Sequence, residues 1–157
     1  MLVIKPPTPF CISPDINTNV FLAGTIDMGA SEDWQSTIAN RFEDIEELTL
    51  LNPRRDAWDS SWSQTLDNPH FVHQVMWELH GMKYSDIIFM YFHPDSKAPV
   101  SLLELGLGAT SDKLLVCCPE GYWRKGNVDI VCSQYNIPQV NDFDTAVDTL
   151  RDRILLK

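Results

Sequence analysis

Two stretches of the chain, "DIIFMYF" (Asp86 to Phe92) and "KLLVCC" (Lys113 to Cys118), are apolar at nearly every position. A strand with one wet face alternates apolar and polar residues, whereas a continuous apolar run of strand length suits a strand covered on both faces. Such strands belong to parallel sheets sandwiched between helices. A parallel sheet in turn requires a crossover element between successive strands.

The chain supplies these crossovers. "NVFLAGT" (Asn19 to Thr25) is a short apolar run that ends in Gly, as a strand does when it enters a loop. In "SEDWQSTIANRFEDI", Trp34, Ile38, Phe42 and Ile45 form a stripe at helical spacing, with Ser31 expected as the N-cap and Glu32 and Asp33 in the first turn. "LTLLN" (Leu48 to Asn52) reads as the next strand. The polar connection from Asn52 to Pro69 is longer than a compact domain usually carries without a purpose. Asn68-Pro69 opens a helix whose apolar stripe is Phe71, Val75, Leu79 and Met82. "SLLELGLGA" (Ser101 to Ala109) reads as the next helix, "NIPQV" as a last short strand, and Phe143, Val147, Leu150 and Ile154 as the stripe of a closing helix.

Alternation of this kind, with right-handed crossovers, predicts a doubly wound parallel α/β sheet, a flavodoxin-like or Rossmann-like three-layer sandwich. At 157 residues the chain is expected to form a single domain, 1–157, with 1–18 as an N-terminal arm. Ligands of such folds bind beyond the carboxyl ends of the strands. The connections that emerge there begin at Gly24, at Asn52 and at His93.

Charge and composition narrow the function classes. A net charge of −10 argues against duplex nucleic acid, which needs a basic footprint, but allows a single nucleotide held by one arginine or a helix N-terminus. No apolar run approaches the roughly 20 residues of a membrane span. "MLVIKPPTPF" lacks the apolar core of a signal peptide, so a cytoplasmic location is expected. The four cysteines, Cys11, Cys117, Cys118 and Cys132, match no zinc spacing, and His70 and His73 share a helical turn without a cluster of partners, so no metal site is expected.

Two carboxylates occupy apolar helix faces. Glu78 falls inside the Phe71, Val75, Met82 stripe, and Glu104 sits in a helix that is apolar nearly all round. A carboxylate on a buried face needs a partner or takes a raised pKa. One reading is structural: Ser101 and Glu104 form a capping box, and Glu78 is an ion pair at the edge of its stripe. The other is catalytic. Two carboxylates in a partly dry cleft suit glycosyl chemistry, one as nucleophile at the anomeric carbon and the other handling a proton. The residues by themselves leave both readings open.

Four segments, "VFLAGTIDMG", "WELHGMKYSDIIFMYF", "SLLELGLGA" and "GYWRKGNV", together resemble the nucleoside 2'-deoxyribosyltransferase and 2-deoxyribosyltransferase-like family, in the family's order. The resemblance implies a flavodoxin-like sandwich and transfer of 2'-deoxyribose between nucleobases through a covalent glycosyl-enzyme. It places Glu104 at the nucleophile position and Glu78 at the supporting acid/base position, where family members often carry Asp. It points to Gly24 and Thr25 in the ligand-enclosing loop. It also points to Asn127 as a residue supplied by a neighbouring subunit, hence to a homo-oligomer with shared active sites. Relatives that hydrolyse nucleoside monophosphates need phosphate donors, for which Ser101 at a helix N-terminus and the Arg54–Arg55 pair are candidates. The expected partner is therefore a small-molecule nucleoside or nucleotide. No organic cofactor is expected, because a carboxylate can attack an activated anomeric centre unaided. A non-catalytic nucleotide-binding module on the same fold is the alternative from another class.

Overall fold

The computed structural model describes residues 1–11, 17–27 and 31–157. Strands β1 (Leu2–Ile4), β2 (Thr18–Gly24), β3 (Leu48–Leu51), β4 (Ile87–Tyr91), β5 (Leu114–Cys117) and β6 (Gln139–Val140) form one sheet in the order β1-β3-β2-β4-β5-β6. Every pairing is parallel. Helices α1 (Trp34–Arg41), α2 (Pro69–Tyr84), α3 (Pro99–Gly108), α4 (Lys125–Gln134) and α5 (Phe143–Leu155) make the connections and the closing element. This is the doubly wound α/β fold expected from the alternation. Among the described residues no helix is long and apolar enough to cross a membrane.

Side chains of each strand divide between the two faces with period two, as strand geometry requires. Val20 and Leu22 of β2 and Ile87, Phe89 and Tyr91 of β4 pack with Trp34 and Ile38 of α1 and Val147, Leu150 and Ile154 of α5. Phe21 and Ala23, with Ile88 and Met90, pack on the other face with Trp77 and Met82 of α2, Leu105 of α3 and Val128 and Cys132 of α4. Both faces being covered explains why "DIIFMYF" and "KLLVCC" have no polar alternation. The connection from β2 leads to β3 on one side, and that from β4 leads to β5 on the other. The sheet therefore has its switch point between the adjacent strands β2 and β4, where open α/β sheets bind ligands.

Several local expectations are corrected. The N-cap of α1 is Asp33, whose Oδ1 accepts from the Ser36 amide at 3.1 Å, and not Ser31. The helix ends at Arg41, so Phe42 and Ile45 pack into the core from the turn beyond it. The N-terminal arm contributes β1, paired with β3. Thr8 and Phe10 of the arm meet Trp77: the Thr8 carbonyl accepts from the indole at 2.9 Å, and the Phe10 ring stands edge-on to it. In α2, Leu79 is exposed, and the face against the sheet is Gln74, Trp77, Gly81 and Met82. Gly81 allows this close seat, because a Cβ there would lie 2.4 Å from Cδ2 of Phe21.

Candidate active site

At the switch point a cavity of about 340 Å³ opens at the carboxyl ends of β2, β3 and β4. Its walls come from four places: Ala23 and Gly24 at the end of β2 with Ile26 and Asp27 beyond it; Pro53, Arg55, Trp58 and Gln64 after β3; Phe71, Gln74, Val75 and Glu78 of α2; and Ala98 to Ser101 with Glu104 at the start of α3.

Gly24 makes the sharp exit from β2. Its φ of +127° suits glycine, and a Cβ would stand 2.2 Å from the carbonyl oxygen of Tyr91 on β4. Thr25 is fully buried and braces that exit. Its amide donates to the Tyr91 carbonyl at 2.9 Å, its hydroxyl accepts from the His93 amide at 3.0 Å, and its carbonyl accepts from the Trp34 indole at 2.8 Å. Ser96 closes the same side, donating to Asp27 at 2.7 Å and accepting from the Ala98 amide at 3.1 Å. The loops after β2 and β4 are thus tied together above the cavity.

Helix α3 begins at Pro99, with Ala98 in the left-handed region as N-cap and no side-chain cap hydrogen bond. Ser101 is the third residue of the helix, so the expected Ser101–Glu104 capping box does not form. The buried stripe is instead Ser101, Glu104, Leu105 and Gly108, which is the helix's sheet-facing side. Glu104 lies on that stripe, 8% exposed, and lines the cavity. The opposite side of α3 carries Val100, Leu103 and Leu107 into solvent. A helix that is apolar all round is therefore buried on one side only.

Glu78 approaches from α2. Gln74, one turn earlier, donates from Nε2 both to Glu78 Oε1 and to the Pro53 carbonyl, each at 2.9 Å. That amide fixes the carboxylate against the loop after β3. Phe71 and Val75, expected in the core, share this face of α2 and line the cavity with Glu78. Burial pushes Glu78 up to about 7, offset in part by the Gln74 bond. Burial, and then the Glu78 charge, push Glu104 up to about 8. The two carboxyl groups titrate as a coupled pair, and loss of the first proton yields one acid and one carboxylate near neutral pH.

Of the residues singled out from the sequence, Glu104, Glu78, Gly24 and Ser101 meet at the cavity, and Thr25 lies directly behind it. Arg54 is turned toward the start of α1, where it donates to the carbonyls of Ser31 and Glu32 at 2.9 and 2.8 Å and pairs with Asp33 at 3.5 Å. Its neighbour Arg55 lines the cavity instead. Asn127 is exposed on α4, outside the cavity of its own chain. Trp58 and Gln74 lacked a distinguishing sequence pattern. The length and tryptophan content of the connection after β3 were the available signal for the first, and the four-residue spacing to Glu78 for the second.

A parallel α/β sheet with two carboxyl groups, one buried and one half-buried, lining its switch-point crevice is an arrangement that can support acid–base or nucleophilic chemistry on a small molecule. The family model described as "Nucleoside 2-deoxyribosyltransferase like" matches residues 17–122, well over half of the chain. The chain belongs to that nucleoside 2-deoxyribosyltransferase-like family, and membership supports N-glycosidic chemistry as the general class. The match spans β2 to Tyr122, including both carboxylates, although residues 28–30 of the "VFLAGTIDMG" segment lie outside the described residues. No curated protein matches the chain. Among solved structures, a conserved protein from Enterococcus faecalis V583 superposes with a TM-score of 0.61 at 11% identity, over 87% of this chain and 99% of that one. At that identity the likeness supports the fold alone.

Proposed function

We propose that the protein cleaves and re-forms the N-glycosidic bond of nucleosides or nucleotides through a glycosyl-enzyme on Glu104. The observation that carries this reading is the pair of carboxyl groups with raised pKa values, Glu104 buried and Glu78 half-buried, that line one cavity at the switch point. In the singly protonated pair the proton rests mainly on Glu104, and its shift to Glu78 gives the reactive form, in which the Glu104 carboxylate attacks C1' of the sugar. An ester bond forms between Glu104 and C1' as the C1'–N bond breaks, and the bond's electron pair leaves with the base. Glu78, held by Gln74, delivers the proton that neutralises the departing base. In the second half a new base, or water, attacks C1' and gives its proton to Glu78, and Glu104 leaves as carboxylate. Two displacements at one carbon retain configuration. Burial supports the first step, because a poorly solvated carboxylate is the stronger nucleophile and water is kept from the intermediate.

The exposed stripe of Val100, Leu103 and Leu107, 59%, 64% and 58% exposed, supports association of copies through α3. It is compatible with Asn127 serving a neighbouring chain's cavity. Incubation with deoxyinosine and free adenine tests transfer, and a wider panel of nucleosides and nucleotides tests hydrolysis. A 2-fluoro sugar donor should add one glycosyl mass to the wild type and none to Glu104→Ala. Folded protein that releases no base from any donor and forms no adduct would overturn the reading. Ligand binding without turnover, unchanged in Glu104→Ala, would identify a sensor module instead.

A further inference from the structure

The cavity wall formed by the loop after β3 holds a cation that the chemistry above does not use. The guanidinium of Arg55 lies 4.8 Å from the centroid of the Trp62 ring. Its Nε and Nη1 are buried and have no hydrogen-bond partner among the described residues, and the same holds for the indole Nε1 of Trp58. Both residues line the cavity. Arg54, one position earlier, is instead engaged with Ser31, Glu32 and Asp33.

Buried donors without acceptors are costly, and most costly where the donor is a permanent cation. The two cavity carboxylates do not answer this charge. Both are pushed up by burial, and the second cause for Glu104 is the Glu78 charge. Three donors, two of them on a guanidinium, match an acceptor-rich anion, and phosphate is the group that arginine meets best. The cavity, at about 340 Å³, is at the small end of the roughly 300–1,000 Å³ found for small-molecule sites, which fits one mononucleotide and not a dinucleotide.

We infer that Arg55 and Trp58 bind the phosphate of a nucleoside 5'-monophosphate, so that the protein acts on the nucleotide in preference to the nucleoside. This rests on the N-glycosidic reading for the nature of the ligand, and on the wall itself for the charge.

The test compares kcat/KM for deoxynucleoside 5'-monophosphates with that for the parent deoxynucleosides, in the wild type, Arg55→Gln and Trp58→Phe. The wild type should favour the nucleotide. Arg55→Gln should reduce that preference roughly 10- to 100-fold, the range for a hydrogen bond to a charged group. Trp58→Phe keeps an aromatic side chain but loses the pyrrole ring with its N–H, so it reads the same subsite should Arg55→Gln fail to fold, with a loss of roughly several-fold. Equal use of nucleotide and nucleoside by the wild type, or an undiminished preference in the folded variants, overturns the inference. If no donor releases base, the glycosidic reading fails separately, and calorimetric titration with deoxynucleoside monophosphate then decides the subsite. Binding to the wild type that is weakened in Arg55→Gln sustains it, and equal or absent binding overturns it.

Discussion

Replacing Glu104 with Gln keeps the side chain's shape and removes its charge, which makes the cost of the buried carboxyl group measurable. In the folded chain the group titrates at about 8, against 4.5 ordinarily. The folded state therefore binds this proton more tightly than the unfolded state does. The stability it contributes is fully present below about pH 4.5 and falls as pH rises toward 8. A shift of this size corresponds to about 5 kcal/mol once the group is ionised, as an upper bound. About 1 kcal/mol of that is already lost at pH 5, because the unfolded group is largely ionised there. Glu104→Gln escapes the loss entirely. Its advantage over the wild type should widen by up to about 4 kcal/mol between pH 5 and pH 9, or about 8–16 °C in melting temperature for a domain of this size. Titrating groups other than Glu78, whose charge acts on Glu104, are common to the two proteins and cancel in the difference. Thermal melts of both, followed by circular dichroism at unit pH steps, provide the assay. A difference in melting temperature that stays flat or narrows between pH 5 and pH 9 would refute the placement of Glu104 as a buried, poorly compensated carboxyl group.

Two further outcomes follow from the same geometry. With Glu78 at about 7 and Glu104 at about 8, kcat/KM should peak between those values, where the pair holds one proton, and fall on both sides; a plateau from pH 5 to pH 9 would contradict the shared-proton mechanism. Gly24→Ala would force a Cβ to within 2.2 Å of the Tyr91 carbonyl at φ +127°, and should cost at least about 3 kcal/mol in chemical denaturation, whereas a loss under about 1 kcal/mol would show that the β2–β4 exit can relax.

The architecture was legible because its signal is redundant. "DIIFMYF" and "KLLVCC" each require two covered faces, and the structure covers both. Glu78 and Glu104 were legible as anomalies for the same reason: a charge on an apolar stripe conflicts with the pattern around it. What remained hidden depends on tertiary contacts. Ser101 and Glu104 have capping-box spacing, but Pro99 starts the helix two residues earlier, and one-turn shifts of that kind leave little mark on composition. Phe71 and Val75 share an apolar stripe with Met82, yet they line the cavity, and only from Trp77 onward does the helix join the apolar cluster against the sheet. Arg54 and Arg55 are adjacent and chemically identical. Only the turn at Asn52, whose Oδ1 accepts from the Arg54 amide at 2.9 Å, sends one toward α1 and the other into the cavity.

The two faces of the sheet differ in a way that bears on function. The α1 and α5 side is closed by apolar packing around Trp34, Phe89 and Leu150, and there Gln35 of α1 leaves one buried donor, Nε2, without a partner among the described residues. On the α2 and α3 side, Glu104 is buried, Glu78 is raised by desolvation, and Arg55 and Trp58 leave donors unmatched among the described residues. Each of these lowers folding stability, and none is needed to complete the sheet, since the opposite face achieves closure without them. Perturbed groups gathered in one cavity support the reading of that cavity as a ligand site. The signs of these groups add a direction. Two carboxyl groups, on α2 and α3, and a cation in the loop after β3, all lining one cavity, suit the proposed ligand, which carries an electron-poor carbon and an anionic group.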